Sequence, residues 1–302
     1  AGALAVTGSG TTGQFTTGVA SSSISSTGAT TIVATALADD QTLTTSGAGA
    51  TTITGLQANL TDTSTAAQNI TVADVATITL GLGSDTTGTD AIVATALTNG
   101  DVLTLTGAND ATISFDEGDI TASAYTGGLT VTGTGTAGQF TTGTASSSIS
   151  STGTTAIVAT ALADGQTLTT TGNGALTITG LQANLAVNDA RSAAHSVTAA
   201  AVANLTVAMG TSTSGTDTIV ATALTDGQVL TLTGSNSTNL SFANGDITAS
   251  AFAGALAVTG SGTTGQFTTG TKSSSISSGG ATAVVATAME DDQTLTTSGA
   301  GA

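Results

Sequence analysis

Few side chains in this sequence could take part in chemistry. One carboxylate cluster, one histidine set among many serines, and two basic residues make up the list. Asp116-Glu117-Gly118-Asp119 has the make-up of a cation site or an acid/base pair. A glycosidase pair, for example, needs two carboxylates held at a defined separation. The equivalent stretch one repeat later reads Ala243-Asn244-Gly245-Asp246, so two of the three carboxylates vanish while Gly-Asp survives. That pattern suits a turn closed by glycine at positive φ better than a reaction centre. A Ser-His-Asp arrangement would have to use His195, the sole histidine, whose counterpart is Gln68. Arg191 and Lys272 have Ser64 and Ala20 as counterparts, so no basic site recurs. Gly8-Ser9-Gly10 lacks the following helix and downstream acid of a dinucleotide site. No catalytic residue is expected, and the chain reads as a non-enzyme.

These comparisons rest on internal repetition. Ile32-Val33-Ala34-Thr35-Ala36-Leu37 returns at Ile92, Ile157, Ile219 and Val284, at intervals of roughly 60–65 residues. A longer period of about 125 residues contains it, with Gly2 to Gly8 matching Gly127 to Gly133 and Gly254 to Gly260. Residues 254–302 differ from residues 2–50 at only 7 of 49 positions. The expected organisation is repeat 1 at 1–126, repeat 2 at 127–253 and a partial repeat 3 at 254–302, each full repeat made of two half-repeats of about 62 residues. Both ends fall inside the pattern, so the chain is expected to be a piece of a longer repeat protein. Self-copying of this kind suits a scaffold.

Two basic residues against nineteen acidic ones give a net charge of −17. Such a chain repels phosphate backbones and anionic lipid heads, so neither nucleic acid nor a membrane is an expected partner. Charged residues are only 7% of the total while 39% are hydrophobic, which separates this sequence from a disordered acidic tail. Trp, Cys and Pro are absent and there are six Phe and one Tyr, so the core must be thin and built of small aliphatics. Without cysteine there can be no disulfide or thiolate metal site. No apolar run approaches the ~20 residues that span a bilayer.

The local pattern is strand. Leu103-Thr104-Leu105-Thr106, Leu176-Thr177-Ile178-Thr179 and Leu230-Thr231-Leu232-Thr233 alternate apolar and Thr, the period-2 signature of a half-buried strand. Ala190 to Val202, where Ala clusters, reads as a variable loop. Phe15, Ile24 and Val33, and again Phe140, Ile149 and Val158, fall in steps of nine. Nine residues make one short strand and one tight turn, and two such steps make one coil of a flattened β-solenoid (a β-roll or parallel β-helix). The alternative is a series of tandem antiparallel β-sandwiches, with hairpins at Asp164-Gly165 and Asp226-Gly227. Asp39-Asp40 and Asp291-Asp292 stand at the same place, and a type I′ hairpin would force positive φ on both aspartates. The solenoid is therefore preferred.

Gly88-Thr89-Asp90-Ala91-Ile92 and Gly215-Thr216-Asp217-Thr218-Ile219 resemble the G-x-D-x-U half of the RTX nonapeptide GGxGxDxUx. Gly245-Asp246-Ile247-Thr248-Ala249-Ser250 through Thr259-Gly260 resembles a segment of type I-secreted bacterial surface-layer proteins and large adhesins. The resemblance implies an extracellular, cell-surface protein, and it implies calcium as a cofactor, with Asp90 and Asp217 as ligands. Read from the residues alone, the same two aspartates are solvated or turn-capping. Thr141 to Ile149 carries Ser and Thr where that motif has Asp, so most coils should be calcium-free. The expected function is a self-associating segment of a bacterial surface layer or extracellular filament, its partner being a second copy. Alternatives are the passive stalk of an adhesin, with cell-surface polysaccharide met by other segments, and an ice-binding solenoid, for which the Thr-x-Thr pairs speak.

Overall fold

The computed structural model describes residues 3–10, 12–38, 40–84, 88–135, 138–188, 193–211, 215–262 and 264–300. Its strands are short, three to seven residues each, and no helix occurs among the described residues. Every strand pairing described is parallel, which makes the chain a β-solenoid and removes the antiparallel sandwich. The chain divides into two compact units, Ala1–Gly153 and Thr154–Ala302, so the division falls inside the second repeat rather than at its boundary.

In the first unit the sixteen described strands, from Leu4–Gly8 to Ser147–Ser151, alternate between two sheets. Odd-numbered strands in chain order stack on one another, and even-numbered strands do the same. The second unit repeats this arrangement from Thr155–Val158 to Leu295–Ser298. Coils vary in length. Leu129 pairs with Ser147 and Thr42 with Asn59, whereas the longer coil that starts at Thr77 does not come round until Val102.

Alternation of Thr with Val, Ile or Leu decides which face of each strand turns inward. Threonine's branched Cβ suits the extended backbone while its hydroxyl meets water, and the apolar neighbour goes to the thin interior. In the first unit one inward column runs without interruption through Phe15, Ile32, Ile53, Ile70, Ile92, Ile113, Val131 and Ile149, each in register with the next. In the second unit Ile157, Ile178, Val197, Ile219, Leu240, Val258 and Ile276 form an equivalent column, on the odd-numbered strands. The recurrent Ile of each half-repeat is thus a rung.

Three expectations need correction. The inward residues are Ile32 and Ile157, both fully buried, and not Val33 and Val158, because the corner between sheets absorbs one residue of the nine. The stretch Ala190 to Val202 is not simply a loop: Ser196–Ala199 is a strand in register with Thr177–Ile178 and with Thr218–Val220, although residues 189–192 lie outside the described set. Gly118 closes the turn after Phe115 without positive φ. It is required for space, since a Cβ there would lie 2.5 Å from Leu97 Cβ, and Gly245 meets Leu224 Cβ at 2.4 Å in the same way.

Left-handed backbone recurs instead at a corner shared by the half-repeats. Asp40 (φ 64°), Gly100 (98°), Gly165 (78°), Gly227 (80°) and Asp292 (67°) occupy equivalent places. At Gly100, Gly165, Gly227 and Asp292 the residue before is not left-handed, so one such residue, not two, turns the chain from one sheet toward the other, and aspartate is accepted there.

Among the described residues a full repeat contains thirteen strands, an odd number. Within the first unit, Leu4–Gly8 is therefore in one sheet and its copy Leu129–Gly133 is in the other. Within the second unit, Thr155–Val158 and its copy Ala283–Val285 are separated in the same manner.

Candidate functional site

Asp90 and Asp217 are second residues of strands, Thr89–Ala94 and Thr216–Ala221, and strand parity turns their side chains inward. They are 0% and 1% exposed, so neither is solvated and neither lies in a turn. A buried carboxylate must be met by donors. Asp90 Oδ1 accepts the Gln68 N–H at 2.8 Å and Oδ2 accepts Asn109 Nδ2 at 3.3 Å. Asp217 Oδ1 accepts the His195 N–H at 2.9 Å and Oδ2 accepts Asn236 Nδ2 at 3.0 Å. Calcium takes six to eight oxygens, whereas all four of these partners are N–H groups. Among the described residues no group of three or more Asp, Glu, His or Cys is placed to hold a metal ion. The geometry makes these aspartates hydrogen-bond acceptors that tie three successive coils together.

The corner around Asp90 extends further. Tyr125 is fully buried and its hydroxyl donates to the Asn109 carbonyl. Burial, with the nearby charges of Asp90 and Asp110, pushes its phenol well above the ordinary value. In the neighbouring coils Thr45 Oγ1 donates to Asp62 Oδ1 at 2.6 Å, and Ser64 Oγ donates to the same oxygen at 2.7 Å. Gln68 Nε2 donates in turn to Ser64 Oγ. In the second unit Phe252 stands in place of Tyr125 and Val187 in place of Asp62, so only the Asp–Asn core of the corner is kept. Sequence reading missed Asn109 and Asn236. The signal was present, because the spacing from aspartate to asparagine is the same in both repeats.

The other candidates are scattered. His195 is 2% exposed and its Nδ1 accepts the Leu176 N–H at 3.3 Å, so the ring lies inside the coil. Asp116 and Glu117 sit in the turn before Asp119–Tyr125, where Asp116 accepts from Thr134 Oγ1 and Asp119 Oδ1 accepts the Gln139 N–H at 2.9 Å. Lys272 pairs with Glu290 at 2.7 Å on the surface. Both positions are alanine in the first repeat, Ala20 and Ala38, so the two charges differ from that repeat as a pair. Arg191 lies outside the described residues.

What remains is surface. In the first unit, the outward positions inside the strands carry Thr, Ser, Asn, Gln, Ala, Val and Gly; Asp110 and Asp119 appear only as first residues of their strands. Five carboxylates, Asp40, Asp74, Asp101, Asp116 and Glu117, lie on the turns leading from the even-numbered strands back to the odd-numbered ones. Asp101 accepts the Thr98 N–H at 2.7 Å and Thr98 Oγ1 at 2.9 Å, which holds its carboxyl below the usual range. A shallow trough of about 280 Å³ crosses Ala5, Ser23 and Thr44. Its counterpart in the third repeat crosses Ala257, Ser275 and Thr296 with about 400 Å³. In the second repeat Thr130 replaces that alanine.

Comparison with known proteins finds no matching family model, no similar curated protein and no similar solved structure.

Proposed function

We propose that this chain is a structural, self-associating segment of an extracellular surface layer or filament. The observation that carries the reading is the odd strand count. Thirteen strands per repeat place a strand and its copy on opposite sheets of one unit, as with Leu4–Gly8 and Leu129–Gly133. A lateral contact that uses one sheet is then offered again on the other, one repeat further along the coils. Contacts offered on two opposed sides build open arrays and not closed dimers. The buried polar groups speak for the same role: Asp90 and Asp217 hold coils together and present nothing to solvent. The net charge of −17 allows divalent cations from the medium to bridge neighbouring copies.

The test is negative-stain electron microscopy of the purified chain in chelator and then in millimolar calcium. Ordered sheets or fibres in either condition support the reading, and their appearance only with calcium assigns cation bridging. Isolated particles in both conditions, at high protein concentration, overturn self-association and leave a passive stalk.

A further inference from the structure

Resting on that self-associating reading, we propose that copies of the chain stack face to face through the uncharged middle of the outer surface of the first unit's even-numbered strands, with the acidic turns kept in solvent. The occupant of this face is a second copy of the chain.

Charge is partitioned in a way that selects this contact. The first unit, Ala1–Gly153, contains no Lys, Arg or His, so its carboxylates have no basic side chain to pair with inside it. Five of them share one turn edge. Bringing two such edges together would set like charges against each other, which costs several-fold to many-fold in affinity. Between the turns, the face at Thr52, Thr71, Val93 and Thr112 is exposed and uncharged, and the one exposed carboxylate on these strands, Asp110, is the first residue of its strand, at the margin away from those turns. Val93, 41% exposed and the last outward residue of Thr89–Ala94, is one of three large apolar side chains left open to water among the described residues.

Size is sufficient. Eight strands at about 4.8 Å spacing and five residues at about 3.3 Å each give a face of roughly 650 Å² per copy. Two copies would bury about 1,300 Å² in total, inside the range of specific interfaces. The outward side chains are short and mostly Thr and Ser, so a dry contact loses little rotamer freedom. The opposite face of the same unit carries Leu4–Gly8 and Ser22–Ser26, whose copies Leu129–Gly133 and Ser147–Ser151 lie on the stacking face. A stacked copy therefore presents related strands on its far side, and the stack can continue.

The absence of cysteine makes the test direct, because single-cysteine variants have no background thiol. Val93→Cys reports the face and Asn99→Cys reports the acidic edge. The rate of maleimide labelling is measured on dilute protein and on assembled protein. Assembly is expected to slow labelling of Val93→Cys at least about fivefold, as for a position excluded from water within an interface, and to leave Asn99→Cys within about twofold. A second pair removes dependence on one probe: Thr52→Glu/Val93→Glu on the face, and Ala96→Glu/Asn99→Glu on the edge, with equal added charge. Circular dichroism and thermal melts establish that both are folded. The face pair is expected to weaken association on the order of a hundredfold or more, and the edge pair far less. Assembly that protects Asn99→Cys but not Val93→Cys, or that is abolished by the edge pair alone, overturns face stacking while leaving self-association standing. A parent protein that stays monomeric at every concentration overturns both.

Discussion

Asn109 reaches across to Asp90, its Nδ2 lying 3.3 Å from Asp90 Oδ2, and the same pair returns one repeat later as Asn236 and Asp217 at 3.0 Å. Each aspartate also accepts a backbone N–H from the coil on its other side. Replacing Asp90 or Asp217 by Ala strands two buried donors, at roughly 1–3 kcal/mol each, so a loss of about 2–6 kcal/mol is expected. Asp→Asn keeps one carbonyl acceptor and should cost less. Denaturant unfolding with hydrogen exchange on the strands flanking each site checks this. A loss under about 0.5 kcal/mol for both Ala variants would mean that the corner does not bind the coils together.

Equivalent leucines offer a comparison in which chemistry and local sequence are nearly constant. Leu129 is 2% exposed, in register with Ala111 on one side and Ser147 on the other, while Leu4, its counterpart, is 47% exposed and in register with Ser22. Leu129→Ala should cost about 2–5 kcal/mol, the transfer of the side chain plus the cavity left behind. Leu4→Ala should cost under about 1 kcal/mol, since half its surface already meets water. Equal effects in thermal or denaturant unfolding would contradict the burial difference. They would also show that repeat identity, rather than coil stacking, decides the energetics.

Much of the fold was legible because strand parity is a local property. Leu103-Thr104-Leu105-Thr106 and its copies announce which side is wet, and the self-similarity demands stacking. Parity does not carry across a corner. From Ile24, a ninth step falls on Val33, yet the corner consumes one residue and Ile32 becomes the rung; adjacent β-branched residues leave no sign of it. For the same reason the sequence motif put Asp90 in a turn, whereas the strand begins one residue earlier, at Thr89, and turns the carboxylate inward. The odd strand count was hidden by coils of unequal length, such as those from Thr42 to Asn59 and from Thr77 to Val102, since neither period nor length reveals how many corners intervene. The acidic turns and uncharged faces were each visible as residue types. Their separation into edge and surface needed the topology.

Glycine serves two physically different purposes here, and substitution separates them. At Gly165 the φ is 78° and no atom lies within 4 Å of a Cβ, so only backbone conformation resists a side chain. Gly165→Ala should cost about 1–2 kcal/mol, the ordinary penalty of an L-residue in the left-handed region. Gly165→Asp should cost less than Gly165→Ala, because Asp40 and Asp292 hold the same place at φ 64° and 67° and a short polar side chain tolerates that region. Gly118 is the opposite case. Its φ is not positive, but Ala there would set Cβ 2.5 Å from Leu97 Cβ, and the coils would have to move apart. Gly118→Ala is therefore expected to be rescued in part by Leu97→Gly, which removes the clashing Cβ itself, while Gly165→Ala gains nothing from any neighbouring truncation. A double-mutant cycle at Gly118 and Leu97, read by denaturant unfolding, should give a coupling of about 0.5–3 kcal/mol. Additive costs at that pair would place the Gly118 requirement in the backbone after all.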